Sequence, residues 1–461
     1  MVNAAKFRPA LLVLLLAGPL LTASAWLRSA EYDEQYTLFL TAGTPRPDWP
    51  RTVFPAGAVA AIQDGHTTVA SIARDLRTTD VHPPLYFWAV SVWRTVFGPS
   101  LFAARMFSVV CGLISLALIG VLARRSGIPP ATPMLLTLLC YGFAYTNAIA
   151  RGFAPAQMLL LAGVTLVSGR MPFLAGICLG AACCCNYLAV FVAVVAATAA
   201  WVAIPGALPF LVLDAWFFLA QHGTRTGQFP PFSLTHAVAR LAEYQIAAVF
   251  GGLPLYADGL WRIAVGASIA LLCTGVVVSI VRPPRVALAA ALATPAGLLL
   301  LGALFDNTPI ELRYLSFGLP FVALLLARAP LLPLVLAVQI ASIAGLLTSP
   351  RTMQPARAAA AEAARFAGNG IVLLPRGNDG VGIVGAFGIE APPALPVLLI
   401  TPTDAALDRA AGYDRVVLAL MAQDRDSKAA IAATREALAA ANWRRIAIGS
   451  NVEVYQRVDR D

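Results

Sequence analysis

Residues 171–213, MPFLAGICLGAACCCNYLAVFVAVVAATAAWVAIPGALPFLVL, carry no charged side chain. A helix crossing the apolar part of a bilayer needs about 20 apolar residues. This stretch is therefore long enough for two spans, and residues 206–221 make a further one, interrupted by Asp214. Similar intervals recur on either side: 9–27 between Arg8 and Arg28, 106–123 between Arg105 and Arg124, 126–150 and 152–169 flanking Arg151, then 263–281, 286–305, 314–327 and 331–348. The pattern predicts a polytopic α-helical membrane protein with about eleven transmembrane helices.

Composition agrees. Of the 461 residues, 59% are hydrophobic and 12% charged, against about 25% charged in soluble domains. Aromatics stand at 9%, so the excess is aliphatic and Ala. A net charge of +9 would suggest nucleic acid in a soluble protein. Here the cations sit at the ends of apolar segments, where they orient helices, and no nucleic-acid partner is expected. All seven cysteines lie in apolar stretches. Cys183-Cys184-Cys185 has no His or carboxylate at ligand spacing, so these residues read as small polarizable packing groups and no metal site is expected.

Charge sets the orientation. Lys6 and Arg8 place the N-terminus inside. Counting spans then puts Arg124, Arg125, Arg170, Arg282, Arg285 and Arg328 inside. Arg151, Arg225, Arg313, Glu31, Asp33, Glu34, Asp306 and Glu311 fall outside, as the positive-inside rule requires. The count works only if residues 85–97, bounded by Pro83-Pro84 and Gly98-Pro99, do not span; so short a segment suits an interfacial or re-entrant helix. Ala23-Ser24-Ala25 also fits a cleavable signal, with a retained anchor the preferred reading. The outer loops and the C-terminal region are therefore expected on the non-cytoplasmic side of a membrane.

The expected domains are a transmembrane domain over 1–350, including a long first outer loop over 28–100, and a small α/β domain over 351–461. In the latter, strands are expected at Gly370–Leu374, Pro396–Ile400, Val416–Leu420, Arg445–Ile448 and Val452–Tyr455, with a helix over 427–441. Gly377-Asn-Asp-Gly380 is a turn signal. A second outer loop carries His222, Arg225, His236, Arg240, Glu243 and Asp258, and a third Asp306, Asn307, Glu311 and Arg313.

Polar residues thus gather at one face. Acids follow the first span, His82-Pro83-Pro84 opens the short helix, and Arg151 and Arg313 sit where spans meet that face. Cations paired with carboxylates suit a phosphate-bearing lipid and a proton-accepting step. Each element alone has a plainer reading: a solvated loop, a helix start, a snorkelling arginine. Asp214, alone in an apolar run, is a functional candidate or a bundle residue paired within it.

Taken together, Asp33-Glu34-Gln35-Tyr36, His82-Pro83-Pro84-Leu85-Tyr86, the stretch Phe97-Gly98-Pro99-Ser100-Leu101-Phe102-Ala103-Ala104-Arg105, and Arg313-Tyr314-Leu315 before Pro320 resemble the integral-membrane glycosyltransferases of the GT-C superfamily. The nearest branch is the bacterial one related to protein mannosyltransferases and the lipid A aminoarabinose transferase. The resemblance implies transfer of a sugar from a polyprenyl-phosphate carrier to a lipid, glycan or protein acceptor, with inversion at the sugar. It implies that Asp33 is the general base or orients the acceptor, with Glu34 able to share that role. His82, Arg151 and Arg313 would face the donor phosphate, with Tyr86 and Tyr314 beside them. No cofactor is required, although the acidic first loop is compatible with a divalent cation.

There is one departure: where many relatives have an acid two residues before Arg151, this chain has Ile149. Asp33 and Glu34 then suffice, or Asp306 or Glu311 substitutes, or activity is altered. The competing readings are a secondary transporter, which would place ionisable groups near the midplane in repeated halves, and a non-catalytic membrane scaffold.

Overall fold

The computed structural model describes residues 8–221, 230–250, 259–279, 284–348 and 355–458. Lys6, His222, Arg225, Asp258 and Arg282, used above in the charge reading, lie outside them. The chain forms two compact units. One comprises Met1–Leu27, Leu76–Val90 and Ala104–Arg351; the other comprises Arg28–Asp75, Ser91–Ala103 and Thr352–Asp461.

The first unit is helical. Among the described residues, five helices are long and apolar enough to cross a membrane: Arg8–Leu27, Leu101–Arg125, Trp201–Gln221, Gly259–Val276 and Arg285–Phe305. Shorter apolar helices cover Phe153–Ser168, Pro172–Cys185, Tyr187–Ala199, Leu312–Leu326 and Leu332–Thr348. The expected span over 126–150 is divided into Ala131–Leu139 and Tyr141–Thr146. Leu15, Leu219 and Leu300 stand 57–73% exposed, an arrangement suited to lipid rather than water.

The charge-free stretch that opened the analysis becomes three helices for local reasons. Pro172 starts the first at a position where its missing N–H costs nothing. Asn186 ends it in extended conformation, and its side-chain oxygen accepts the Leu188 N–H at 3.0 Å to begin the next. Ala200 breaks the second from the third. The first and third then pack through small residues. A Cβ on Gly176 would lie 1.8 Å from the Ala203 carbonyl oxygen, and one on Gly206 would lie 2.2 Å from that of Phe173. Close backbone approach of this kind is how helices gain contact where the hydrophobic effect offers no gradient.

The second unit holds a six-stranded sheet: β1 (Phe54–Pro55), β2 (Ile371–Pro375), β3 (Pro396–Ile400), β4 (Arg415–Ala419), β5 (Trp443–Ile448) and β6 (Val452–Arg457). Their order is β1-β3-β2-β4-β6-β5. β2 runs parallel to β3 and β4, and the remaining neighbours are antiparallel. β2, β3 and β4 are buried on both faces, which explains their continuous aliphatic sequence. Helices Ala356–Ala367 and Gly382–Glu390 were not foreseen; Arg425–Ala440 was.

The first loop does not group with the spans as its place in the chain had suggested. Residues 28–75 and 91–103 share a core with the C-terminal region. β1 extends the sheet beside β3. The Trp49 ring stacks on Phe54 at 5.5 Å and meets Phe39 edge-on at 5.9 Å. Its Nε1 donates to the Gly380 carbonyl at 2.6 Å. Helix Tyr32–Ala42 lies against Gly382 and Gly385, whose missing side chains admit Tyr32 and Gln35. The Gly377–Gly380 turn, with both glycines at positive φ, accepts hydrogen bonds from this loop: Tyr32 Oη to Asn378 at 2.9 Å and Tyr36 Oη to Asp379 at 2.5 Å.

Candidate functional site

Asp33 and Glu34 lie in the second unit, in the first turn of helix Tyr32–Ala42, where acids complement the helix dipole. Asp33 is half-buried. Glu34 is fully buried, and its Oε2 accepts the Glu31 N–H at 3.0 Å as the far half of a capping box. The geometry gives Glu34 a helix-capping task.

His82, Tyr86, Arg151, Arg313 and Tyr314 lie in the first unit. Residues 147–152 form a buried turn between helices Tyr141–Thr146 and Phe153–Ser168. Gly152 is required there: a Cβ would fall 2.3 Å from the Cys185 carbonyl oxygen and 3.3 Å from Tyr86 Cβ. The turn thereby brings Arg151 against the start of helix Leu85–Phe97. Arg151 is 4% exposed. Its Nη2 is 2.7 Å from His82 Nε2. His82 Nδ1 is in turn 3.0 Å from Asp80 Oδ1. The ring of Phe153 lies 6.2 Å from that of Tyr314 and 6.1 Å from that of Phe317. Arg313 pairs with Glu311, and its guanidinium stands 5.6 Å from the Tyr314 ring centre.

Two participants escaped the sequence reading. Asp80 had a signal, since a carboxylate two residues before a His that precedes Pro-Pro is placed to reach the imidazole across a turn. Gln221, at the end of helix Ile204–Gln221, had none. Its Nε2 donates to the His82 carbonyl at 2.8 Å and the Leu76 carbonyl at 3.2 Å, and its Oε1 accepts from Tyr187 Oη at 3.0 Å.

At the departure from the resemblance, Ile149 is fully buried, and its carbonyl accepts from Ser108 Oγ at 2.6 Å. Asp306 Oδ1 accepts the Phe232 N–H at 3.1 Å. In helix Leu234–Phe250, Arg240 lies 3.7 Å from Glu243 and over the Tyr244 ring. Asp214 is 7% exposed, and no hydrogen-bond partner among the described residues reaches its carboxylate oxygens. Among the described residues, no three His, Cys, Asp or Glu side chains gather as metal ligands.

No protein-family model matches the sequence. No curated protein matches it either. The fold has solved counterparts. The structure of ArnT from Cupriavidus metallidurans bound to undecaprenyl phosphate is similar with a TM-score of 0.50 at 12% identity, over 98% of each chain. The same protein in the apo state gives 0.51 at 12% identity, over 99% of each chain. The chain therefore has the fold of ArnT along nearly its whole length, with the apolar helices of a multi-pass membrane protein.

Proposed function

We propose that this protein is a membrane glycosyltransferase that moves a sugar from a polyprenyl-phosphate carrier to a lipid, glycan or protein acceptor on the outer face of the bacterial inner membrane. The observation that carries the reading is the cluster of buried Asp80 and Arg151 about the partly exposed His82 at the Gly152 turn, in a chain with the ArnT fold.

When the glycosyl–phosphate bond breaks, negative charge grows on the phosphate. A guanidinium held in a largely desolvated site stabilises that charge without reorganising. Arg151 supplies it, and a planar fork matches two phosphate oxygens. Arg313, balanced at rest by Glu311 and standing beside the Tyr314 ring, adds a second cation. His82 steadies the Arg151 guanidinium beside the phosphate, and Tyr86 supports the Gly152 turn.

Asp33 serves as the general base for the acceptor hydroxyl; this role rests on the resemblance and on its half-buried place in a helix whose neighbouring acid, Glu34, is committed to capping. Attack opposite the leaving phosphate inverts the sugar. The chemistry requires no metal, because the leaving group is already a weak base.

The test is transfer of radiolabelled sugar from a panel of polyprenyl-phosphate donors by the protein in lipid vesicles, beside Asp33→Asn. Transfer by the native protein that falls at least a hundredfold in the variant is expected, the lower bound of a general-base contribution of about 10²–10⁴. Transfer undiminished in Asp33→Asn removes the base assignment. No transfer from any donor removes the proposal.

A further inference from the structure

His82 stands between a carboxylate and a guanidinium, and the two select one protonation form. Asp80 Oδ1, 3.0 Å from Nδ1, can only accept, so Nδ1 carries the proton. Arg151 Nη2, 2.7 Å from Nε2 and 3.5 Å from Nδ1, lies over the face of the ring, and its positive charge opposes a second ring proton on Nε2. Asp80 thus holds the ring hydrogen on Nδ1, and the Arg151 charge against the ring favours leaving Nε2 bare.

The turn that carries this arrangement is held from several directions. Asp80 is 2% exposed, and its Oδ1 also accepts the Val81 N–H at 2.8 Å. Its own N–H reaches the Leu76 carbonyl at 3.4 Å, continuing the last turn of helix Val69–Thr79. Gln221 grips the Leu76 and His82 carbonyls, and Pro83 fixes the backbone that follows. So many restraints on one carboxylate and one backbone turn are more than a loop needs merely to close. They fix the imidazole plane against the Arg151 guanidinium.

We propose that Asp80 is a positioning residue for the phosphate site: it holds His82 as the Nδ1–H tautomer, and His82 in turn steadies the Arg151 guanidinium for a phosphate group. The inference rests on the reading of this cluster as a lipid-phosphate site. It also returns a carboxylate to a region where the resemblance had led one to expect an acid at position 149. Outer partners that orient a ligand are commonly worth about 10–100-fold in affinity in metal sites, and a loss at the lower end of that range is expected here.

Ring-15N histidine labelling of the full chain in lipid nanodiscs reads the tautomer without any activity. The chain has four histidines, and His82→Gln assigns the signals. The expected result is a protonated Nδ1 and an unprotonated Nε2, both shifted by undecaprenyl phosphate and left in place by undecaprenol. Inorganic phosphate producing the same shift assigns recognition to the headgroup alone; a shift only with the lipid phosphate adds the chain to the ligand. Asp80→Asn mixes the tautomers and weakens undecaprenyl phosphate binding about tenfold.

A proton on Nε2 in the native protein, or averaging over both nitrogens, overturns the inference whether or not sugar is transferred. So does an Asp80→Asn protein that loses the tautomer and binds as before. If Asp80→Asn fails to fold, the native titration decides: signals that ignore every phosphate overturn it. A held tautomer with phosphate binding but no sugar transfer counts against the glycosyltransferase reading alone.

Discussion

Arg94 illustrates how much of this molecule turns on single buried polar groups. It is 1% exposed. Its guanidinium donates to the carbonyls of Leu38 at 3.3 Å, Gln63 at 2.5 Å and Pro99 at 2.8 Å, and to the Thr41 hydroxyl. One side chain thereby ties together helices Tyr32–Ala42, Gly57–Gln63 and Leu85–Phe97 within the second unit. A lysine keeps the charge but concentrates its donors on one atom, leaving buried carbonyls unpaired at about 1–3 kcal/mol each. Arg94→Lys is therefore expected to destabilise by about 3 kcal/mol, measured by thermal unfolding of the purified full-length protein. An unchanged unfolding temperature contradicts this. Arg94 drew no reading from the sequence, because nothing local reveals carbonyls contributed from residues 38 and 63. Glu34 escaped for a related reason: Glu is an unusual N-cap residue, so Glu31-x-x-Glu34 did not read as a capping box.

At the scale of elements, the strands show where charge supports the fold. Glu453 on β6 accepts from Arg435 Nε at 2.9 Å and from Tyr455 Oη at 2.8 Å. Burial pushes its carboxyl up, and these hydrogen bonds more than reverse that, leaving it below its ordinary 4.5. A carboxyl depressed in the folded state stabilises the fold above its ordinary value and loses that contribution as pH falls through the folded one. Burial, followed by the bond to Glu453, pushes the Tyr455 hydroxyl up to about 12. Its contribution is complete below the usual tyrosine value and is lost as pH rises toward 12. The stability difference between the native protein and Glu453→Gln is expected to be open at pH 7 and to narrow below pH 4.5. A difference that persists in acid contradicts the assignment. β2, β3, β4 and helix Arg425–Ala440 were legible to within a residue or two, since doubly buried strands and an Ala-rich charged helix leave local patterns. β1 was not, because two residues of pairing leave none.

At the scale of the whole molecule, the division into apolar helices was legible because lipid exposure demands it of composition itself. What the sequence concealed was partnership over long separations. The first loop, read as an appendage of the spans, shares a core and a sheet with residues nearly the full chain away. The candidate site shows the same division. His82, Arg151, Arg313 and Tyr314 were visible as types at recurring places. Asp80 and Gln221 emerged only when helices Val69–Thr79 and Ile204–Gln221 were seen to meet at His82.

The central claim is that sugar leaves a lipid phosphate under the charge of Arg151. A polyprenyl-phosphate donor labelled separately in sugar and phosphate, turned over by the full-length protein in lipid vesicles, tests it most directly. Labelled lipid monophosphate is expected in equal amount to the sugar transferred, and Arg151→Gln is expected to lower both by at least a hundredfold, the low end for loss of a buried transition-state donor of about 10²–10³. Sugar transferred without release of lipid monophosphate, or release undiminished in Arg151→Gln, would contradict it.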